Sequence, residues 1–171
     1  KVLIPKQNFI HKLVTYTKPE NVNQLKQALF EAGAGTIGNY DNCSFISSGI
    51  GSFKGNENSN PVIGEKNILQ KEAEIKIEVT FEKHHQNKIL NALFTNHLYE
   101  EVAYEIYKTE NAHQNIGLGM IGELETPMKP KAFLQFVKDK MECGGIRHSQ
   151  FLNTEIKKVA VLGGSGSFAI K

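Results

Sequence analysis

The feature that most constrains the fold of this chain is a strictly alternating segment at residues 72–81. Its apolar side chains occupy every second position, and charged or hydroxyl side chains occupy the positions between them. A period of two is typical of a β-strand, because successive side chains point to opposite faces of a sheet. The segment therefore predicts a half-buried strand with one face in water. The predicted core side consists of Ala73, Ile75, Ile77, Val79 and Phe81.

A strand and a helix are predicted ahead of this segment. Residues 9–16 alternate as a strand that is apolar enough to be covered on at least one face. Thr17 and Glu20 have the spacing of a capping box, with Pro19 tolerated in the first turn of the helix that follows. Gly33 is placed to end that helix in the left-handed conformation. The apolar residues at helical spacing are Val22, Leu25, Ala28, Leu29 and Ala32.

The same order of elements is predicted a second time. A strand is expected within residues 36–46, and the glycine-rich residues 49–64 are expected to form a long loop or a loosely paired hairpin. A helix is predicted over residues 83–94, and the second half of residues 96–107 alternates as a strand. This β-α-β, β-α-β order predicts an α+β domain with a ferredoxin-like sheet and two helices on one face. The core side of the second helix is predicted to be Ile89, Leu90, Leu93 and Phe94.

The last third of the chain has a different pattern. A polar connector at residues 108–116 precedes a predicted strand at residues 117–124. Pro130 is predicted to begin a helix that Gly144 and Gly145 end. Short strands are expected at residues 146–150 and 158–162. The predicted apolar face of the helix is Phe133, Phe136, Val137 and Met141.

Two stretches carry a resemblance to a known family. Residues 97–105 resemble the His-Pro-Tyr-Glu-Glu-Val-Ala-Tyr-Asp signature shared with CutA proteins, with Leu98 in place of the proline and Glu105 in place of the aspartate. Together with the glycine-rich sequence of residues 32–64, this signature resembles the Nif-three-like family. The members of that family are the dinuclear metal centre hexameric proteins, also called type-two GTP cyclohydrolase I homologues. In one branch of that family, a CutA/PII-like domain is inserted into the metal-binding domain.

The resemblance implies a domain assignment. Residues 1–110 correspond to the CutA/PII-like insert, with a ferredoxin-like βαββαβ fold, and residues 111–171 correspond to the start of the second half of an α/β metal-binding domain. The chain lacks an initiating Met and stops just after a glycine-rich turn, so we expect it to be a fragment of a longer protein. The resemblance also implies trimers of the insert domain and hexamers of the full-length parent.

The resemblance implies an enzyme only for that parent. The family builds its dinuclear site from an early His-x-x-x-Asp motif and a late His and Glu, and none of these maps onto this sequence. Two divalent metal ions, zinc or similar, and a GTP cyclohydrolase-type hydrolase activity are thus expected of the full-length parent. For this chain we expect no catalytic residue, no metal and no cofactor.

Two sets of residues are candidates for ligand binding. His97 and Glu101 stand four residues apart and would meet on one face if the turn were helical, and Tyr104 completes this set. The alternative, which is favoured, is a helix-to-strand corner where His97 caps backbone groups and the Tyr rings pack. A second set, the phosphate-facing turn of Gly164, Ser165, Gly166 and Ser167, follows a predicted strand. The alternative there is a tight strand-to-helix turn.

Composition limits the partners. The net charge is +2 with Lys and Arg scattered, so nucleic acid is not an expected partner, and no apolar run approaches the roughly 20 residues of a membrane span. Cys43 and Cys143 lie outside any CxxC pair and indicate reduced thiols in a cytoplasmic protein, with a disulfide left open. We expect a regulatory or assembly domain that self-associates and takes a small-molecule ligand. The alternative is a protein-interaction module with no catalytic role.

Overall fold

The structure is a computed structural model that describes residues 1–164 and 166. Within these residues, three α-helices and two antiparallel sheets make a mixed α+β protein. The chain divides into two compact units, Gln7–His113 and a second unit formed by Lys1–Lys6 with Gln114–Lys171. In chain order the elements are β1 (Val2–Pro5), β2 (Ile10–Thr17), α1 (Val22–Glu31), β3 (Phe45–Phe53), β4 (Gln70–Glu82), α2 (Gln86–Asn96), β5 (Tyr104–Lys108), β6 (Gly117–Met128), α3 (Pro130–Lys140) and β7 (Ile156–Leu162).

The first unit is a four-stranded sheet with the order β3-β4-β2-β5. Every neighbouring pair is antiparallel, and Leu13 of β2 lies opposite Val79 of β4. Both helices cover one face of this sheet. The core between them and the sheet is continuous and includes Leu13, Leu25, Leu29, Ile77, Val79, Phe81, Ile89 and Leu93. The alternation predicted for β4 is therefore confirmed over its second half, where every alternate apolar side chain is buried.

The first half of β4 departs from the prediction at Ala73. Ala73 is exposed and lies opposite Ile50, which is itself 79% exposed. β4 is thirteen residues long and extends beyond the part of the sheet whose side chains enter the core. Side-chain alternation fixes the face on which Ala73 lies, but only a covering element makes that face a core.

β3 corrects the predicted position of the second strand. It begins at Phe45 and continues to Phe53, so only its first residues fall within the segment expected to be a strand. Residues 49–53, expected in a loop or a loosely paired hairpin, pair with β4 in full register, and Gly51 lies opposite Glu72. A Cβ at Gly51 would overlap the Glu74 carboxylate in its present position. Gly51 therefore marks a close approach within the strand.

The start of α1 corrects the capping prediction. Thr17 is the last residue of β2, and a short 3₁₀ turn at Pro19–Asn21 separates it from the helix. No side chain caps either the turn or the helix. The Thr17 hydroxyl instead accepts a hydrogen bond from Asn21 Nδ2 at 3.4 Å, because it lies on the buried face of the strand. Gly33 ends the helix with a φ of +103°, as predicted.

The second helix also begins later than predicted. A 3₁₀ turn at Lys83–His85 precedes α2, whose Ile89 and Leu93 are fully buried. Phe94 is 51% exposed and does not belong to the core, which corrects the expectation from helical spacing. Its ring packs edge-on against Tyr104, with 5.4 Å between ring centroids.

The second unit contains the three-stranded antiparallel sheet β1-β6-β7 and α3. β6 and β7 lie where strands were predicted, and both are longer. Residues 146–150 form no strand, because all but Ile146 are polar and exposed and have no apolar face to bury. α3 ends at Lys140, before Gly144, and Glu142 takes a φ of +50° after it. Met141, predicted on its apolar face, is 72% exposed.

No helix in the described residues is long and apolar enough to span a membrane. Cys43 and Cys143 are both free thiols.

Candidate functional site

A cavity of about 670 Å³ lies on the sheet face of the first unit that the two helices leave uncovered. Consecutive residues 47–53 of β3 form its floor together with Glu74 and Lys76 of β4. The residues that follow β3 and the segment after α2 form its walls. The lining includes Tyr16, Gly49, Gly51, Phe53, Lys54, Val62, Ile63, Glu74, Lys76, Tyr99, Glu100 and Glu101.

Glu74 is held in a fixed position in this cavity. Its Oε1 accepts a hydrogen bond from the Tyr99 hydroxyl at 2.9 Å, and its Oε2 lies over Gly51. Burial, followed by the hydrogen bond to Glu74, raises the pKa of Tyr99 well above its usual value. Tyr99 therefore remains a protonated donor at neutral pH and holds the Glu74 carboxylate at the cavity.

The wall formed by the β3–β4 connection is tied to the opposite wall. Glu100 Oε2 accepts a hydrogen bond from the backbone N–H of Asn60 at 2.9 Å. The connection has internal bonds of its own, from Lys66 Nζ to the Glu57 carbonyl at 2.8 Å and from the Asn67 N–H to the Gly55 carbonyl at 2.7 Å. The long connection is thus a folded wall, with turns at residues 57–58 and 66–67.

His97 engages the backbone with both ring nitrogens. Its Nδ1 accepts a hydrogen bond from the Tyr99 N–H at 3.1 Å, so the proton lies on Nε2, which donates to the Tyr16 carbonyl at 2.8 Å. Burial lowers the pKa of His97, and the backbone bond to Tyr16 opposes that shift. This arrangement matches the corner interpretation, in which His97 caps backbone groups.

The structure does not bring His97, Glu101 and Tyr104 together at one cavity. α2 ends at Asn96 and His97 has extended backbone angles, so the helical relation between His97 and Glu101 is not formed. Glu101 lines the cavity, whereas Tyr104 belongs to β5 and packs on Phe94. Of the three predicted ligand-binding residues, only Glu101 faces the cavity.

The other half of the uncovered sheet face is charged. Glu78 accepts hydrogen bonds from Lys12 Nζ at 2.8 Å and from Lys76 Nζ at 2.5 Å, and these bonds hold the pKa of Glu78 below its usual value. A shallower hollow of about 290 Å³ lies beside them, lined also by Tyr16 and Tyr107. On this face of β2, Lys12 therefore carries an ion pair.

The predicted phosphate-facing turn lies in the second unit, at the end of the described chain. Gly164 and Gly166 take left-handed φ values of +75° and +60°. Ser165 and Ser167 lie outside the described residues.

Sequence reasoning missed most of the cavity. Glu74, Asn60 and Tyr99 come from three separated stretches, and no local pattern joins them. One signal was present, because Gly49 and Gly51 alternate within a run of strand-forming residues, where a glycine often marks close approach or an open space. No three His, Cys, Asp or Glu side chains in the part of the chain that the structure describes lie together in position to hold a metal ion.

Comparisons with known proteins identify a matching family and relatives of similar sequence. Residues 17–171 match the family model of Duf34/NIF3 (NGG1p interacting factor 3). A GTP cyclohydrolase 1 type 2 homolog from Bacillus subtilis is 43% identical over 158 residues, which are 92% of this chain and 42% of that protein. The chain therefore spans less than half the length of such relatives.

The solved structures that are similar to this one include the following two. The structure of a Bacillus cereus protein related to NIF3 is 36% identical, with a TM-score of 0.76 over 97% of this chain and 44% of that one. A Staphylococcus aureus protein is 24% identical, with a TM-score of 0.50 over 98% of this chain and 42% of that one, and it shows similarity of fold alone.

Proposed function

Because this chain belongs to the Duf34/NIF3 family, we propose that it is the regulatory and assembly part of a longer dinuclear-metal protein. In this proposal the Gln7–His113 unit is the CutA/PII-like insert, and the residues that follow begin the second half of the metal-binding domain. The division of the chain after His113 supports this assignment. The pairing of β1 with β6 supports counting the first six residues with the proposed metal-binding part, although the sequence resemblance assigned residues 1–110 to the insert.

The strand order supports a ferredoxin-like fold for the insert. β2-α1-β3 and β4-α2-β5 are two β-α-β units whose strands interleave in the order β3-β4-β2-β5. Both helices pack on one face, as that fold requires. Neither of these two helices covers the opposite face of the sheet.

The uncovered face carries the assembly proposal. Phe45 and Tyr107 lie on it and are 64% and 54% exposed, although large aromatic side chains favour burial. Symmetric association of identical chains is a common way to cover such a surface. We assign the part of this face that carries Phe45 and Tyr107, neither of which lines the cavity, to trimers of the insert domain, which would combine into hexamers in the longer protein.

Ligand sensing is the second part of the proposal. The cavity of about 670 Å³ has the size of a small-molecule site, and a folded wall is tied to Glu100 beside it. A ligand that contacts both Glu74 and the β3–β4 connection would couple its binding to the position of that wall. The cavity therefore supports a ligand-sensing role for the insert in addition to its role in assembly.

The catalytic part of the proposal concerns the longer protein. Relatives carry the name GTP cyclohydrolase 1 type 2 homolog, so we assign a metal-dependent hydrolase activity of that type, with two divalent ions such as zinc, to the longer protein. The described residues of this chain do not fit a metal pair, since they bring no three ligand side chains together. No catalytic step is assigned to them.

An alternative is a protein-interaction module with no catalytic role. The family description, NGG1p interacting factor 3, favours it. In either case we place the protein in the cytoplasm, with Cys43 and Cys143 as free thiols in support.

Light scattering during size exclusion tests the assembly role. The chain of 19.1 kDa is expected to elute with three times that mass. Tyr107→Ser should weaken the trimer, whereas the matched change Tyr40→Ser, at a residue 75% exposed outside the sheet, should leave it intact. A monomeric wild-type chain would remove the assembly role, and equal effects of the two variants would remove this face from it.

A further inference from the structure

We propose that the cavity on the uncovered sheet face binds a small organic cation, an ammonium or guanidinium group carried on an apolar body. The inference rests on the ligand-sensing role proposed above and names the chemistry of the ligand. It follows from three properties of the cavity, which are its open floor, its excess of carboxylates and its apolar and aromatic walls.

The floor has open space at Gly49. A Cβ built at this position meets no atom of the described residues within 4 Å, and the backbone there has none of the positive φ values that favour glycine. Neither strain nor packing in the chain itself thus requires a glycine at this point of β3. The free space above Gly49 faces the cavity beside Glu74, which lies opposite it in the strand pair.

The charged groups favour a cation. Three carboxylates, Glu74, Glu100 and Glu101, line the cavity with two ammonium groups, those of Lys54 and Lys76. The Lys76 ammonium is already paired with Glu78, which lies outside the cavity. The lining thus has an excess of negative charge, and an anionic ligand would meet repulsion in a partly desolvated site.

Glu74 supplies a preorganised acceptor. Tyr99 holds its Oε1, and no donor in the described part of the chain reaches its Oε2, which remains available to an N–H group of a ligand. A charge-assisted hydrogen bond from an ammonium or guanidinium group fits this oxygen. The rings of Tyr16 and Tyr99 add surfaces on which a cation is stabilised.

The apolar walls require more than a bare ion. Phe53, Val62 and Ile63 line the cavity, and Val62 is 63% exposed. Burial of these side chains against an apolar body adds to binding in proportion to the area removed from water. An amine with an aromatic or aliphatic body therefore fits better than ammonium or an alkali cation.

Titration calorimetry with three isosteric probes tests the inference on the whole chain at pH 7. The probes are phenethylamine as the cation, phenethyl alcohol as the neutral analogue and phenylacetate as the anion. We expect saturable binding of phenethylamine, about tenfold weaker binding of the alcohol and no binding of phenylacetate. Equal affinity for the cation and the anion, or no binding of the cation, would overturn the inference.

Two glycine variants make the test specific to the cavity. Gly49→Val fills the open floor and is expected to weaken phenethylamine binding about tenfold, with no loss of thermal stability because valine favours strands. Gly122→Val is the matched control, since Gly122 in β6 also has nothing within 4 Å of its Cβ and lies in the other unit. Undiminished binding by Gly49→Val would place the ligand elsewhere and contradict the proposal.

Light scattering on the same samples separates this inference from the assembly role. A wild-type trimer that binds no amine would refute the cation site and leave the trimer proposal standing. A monomeric wild-type chain that binds phenethylamine, with binding weakened by Gly49→Val, would refute the trimer proposal and support the cation site.

Discussion

The Tyr99 hydroxyl donates a hydrogen bond to Glu74 Oε1 across 2.9 Å, joining the corner after α2 to the middle of β4. The same carboxylate reaches over Gly51 of the edge strand β3. One side chain thus connects three segments that are distant in sequence, and the absence of a side chain at Gly51 makes this possible.

Gly51→Ala is expected to destabilise the chain by about 1–3 kcal/mol, because the added methyl group collides with the Glu74 carboxylate. When Glu74 is already replaced by Ala, adding Gly51→Ala should lower the free energy of unfolding by much less than it does in the wild-type chain. Urea unfolding of the four proteins gives the coupling energy. Gly49→Ala is the control and should change the free energy of unfolding by no more than about 0.5 kcal/mol. A penalty of Gly51→Ala that persists without Glu74 would contradict the contact.

His97→Gln is expected to cost about 1 kcal/mol at pH 7.5, since a hydrogen bond to the Tyr16 carbonyl is weakened or lost. The pKa of His97 lies below 6.5 in the folded chain, chiefly through burial. Its contribution to stability is therefore complete above pH 6.5 and is lost as the pH falls through the folded pKa, where the unfolded chain binds a proton first.

The penalty of His97→Gln should consequently be smaller at pH 5.5 than at pH 7.5. Urea unfolding of both proteins at the two pH values checks this, and the other histidines are common to both. His84→Gln is a suitable control because His84 has a side chain that is 54% exposed. A penalty that grows on acidification would show that protonation of His97 increases, rather than decreases, its contribution to the stability of the folded chain.

Ile77→Asp and Ala73→Asp test how far the core extends along β4. Ile77 is fully buried, so an unpaired carboxylate there should cost several kcal/mol, of the order of 3 or more. Ala73 lies on the same face but is exposed, and its substitution should cost less than about 1 kcal/mol. Equal melting temperatures for the two variants would show that the core extends to Ala73 and would contradict this assignment.

Glu78→Ala tests the charged half of the uncovered face. Glu78 has two lysine partners, so its removal is expected to cost about 1 kcal/mol, more than an ordinary surface change but less than Ile77→Asp. Because the pKa of Glu78 is lowered in the folded chain, this contribution is present above pH 4.5 and is lost as the pH falls through the folded pKa. A penalty that does not shrink in acid would exclude the ion pairs as its cause.

Elemental analysis tests the assignment of the metal pair to the longer protein. The purified chain is expected to hold no stoichiometric pair of transition-metal ions, because its described residues provide no group of three ligand side chains. Dialysis against zinc and then against buffer alone, before the measurement, separates tight from loose binding. Two retained ions per chain would overturn this assignment.

The sequence by itself determined the elements whose side chains repeat at a regular period. The alternation around Ile77 identified the buried face of β4, and the spacing of Leu25 and Leu29 identified the buried side of α1. These signals are local, because every residue along a strand or helix reports the same face. The repeated β-α-β order also followed from them, whereas the resemblance to the family rests on residues 97–105 and on the glycine-rich residues 32–64.

Only the tertiary structure decided where the core ends and where the cavity lies. Ala73 obeys the alternation and is still exposed, because burial requires a covering element that the strand cannot specify alone. The cavity depends on β3, β4 and the corner after α2 meeting at Glu74, and on Gly49 facing open space. Such meetings result from long-range strand pairing and packing, so their partners lie too far apart in the chain for any local pattern to record them.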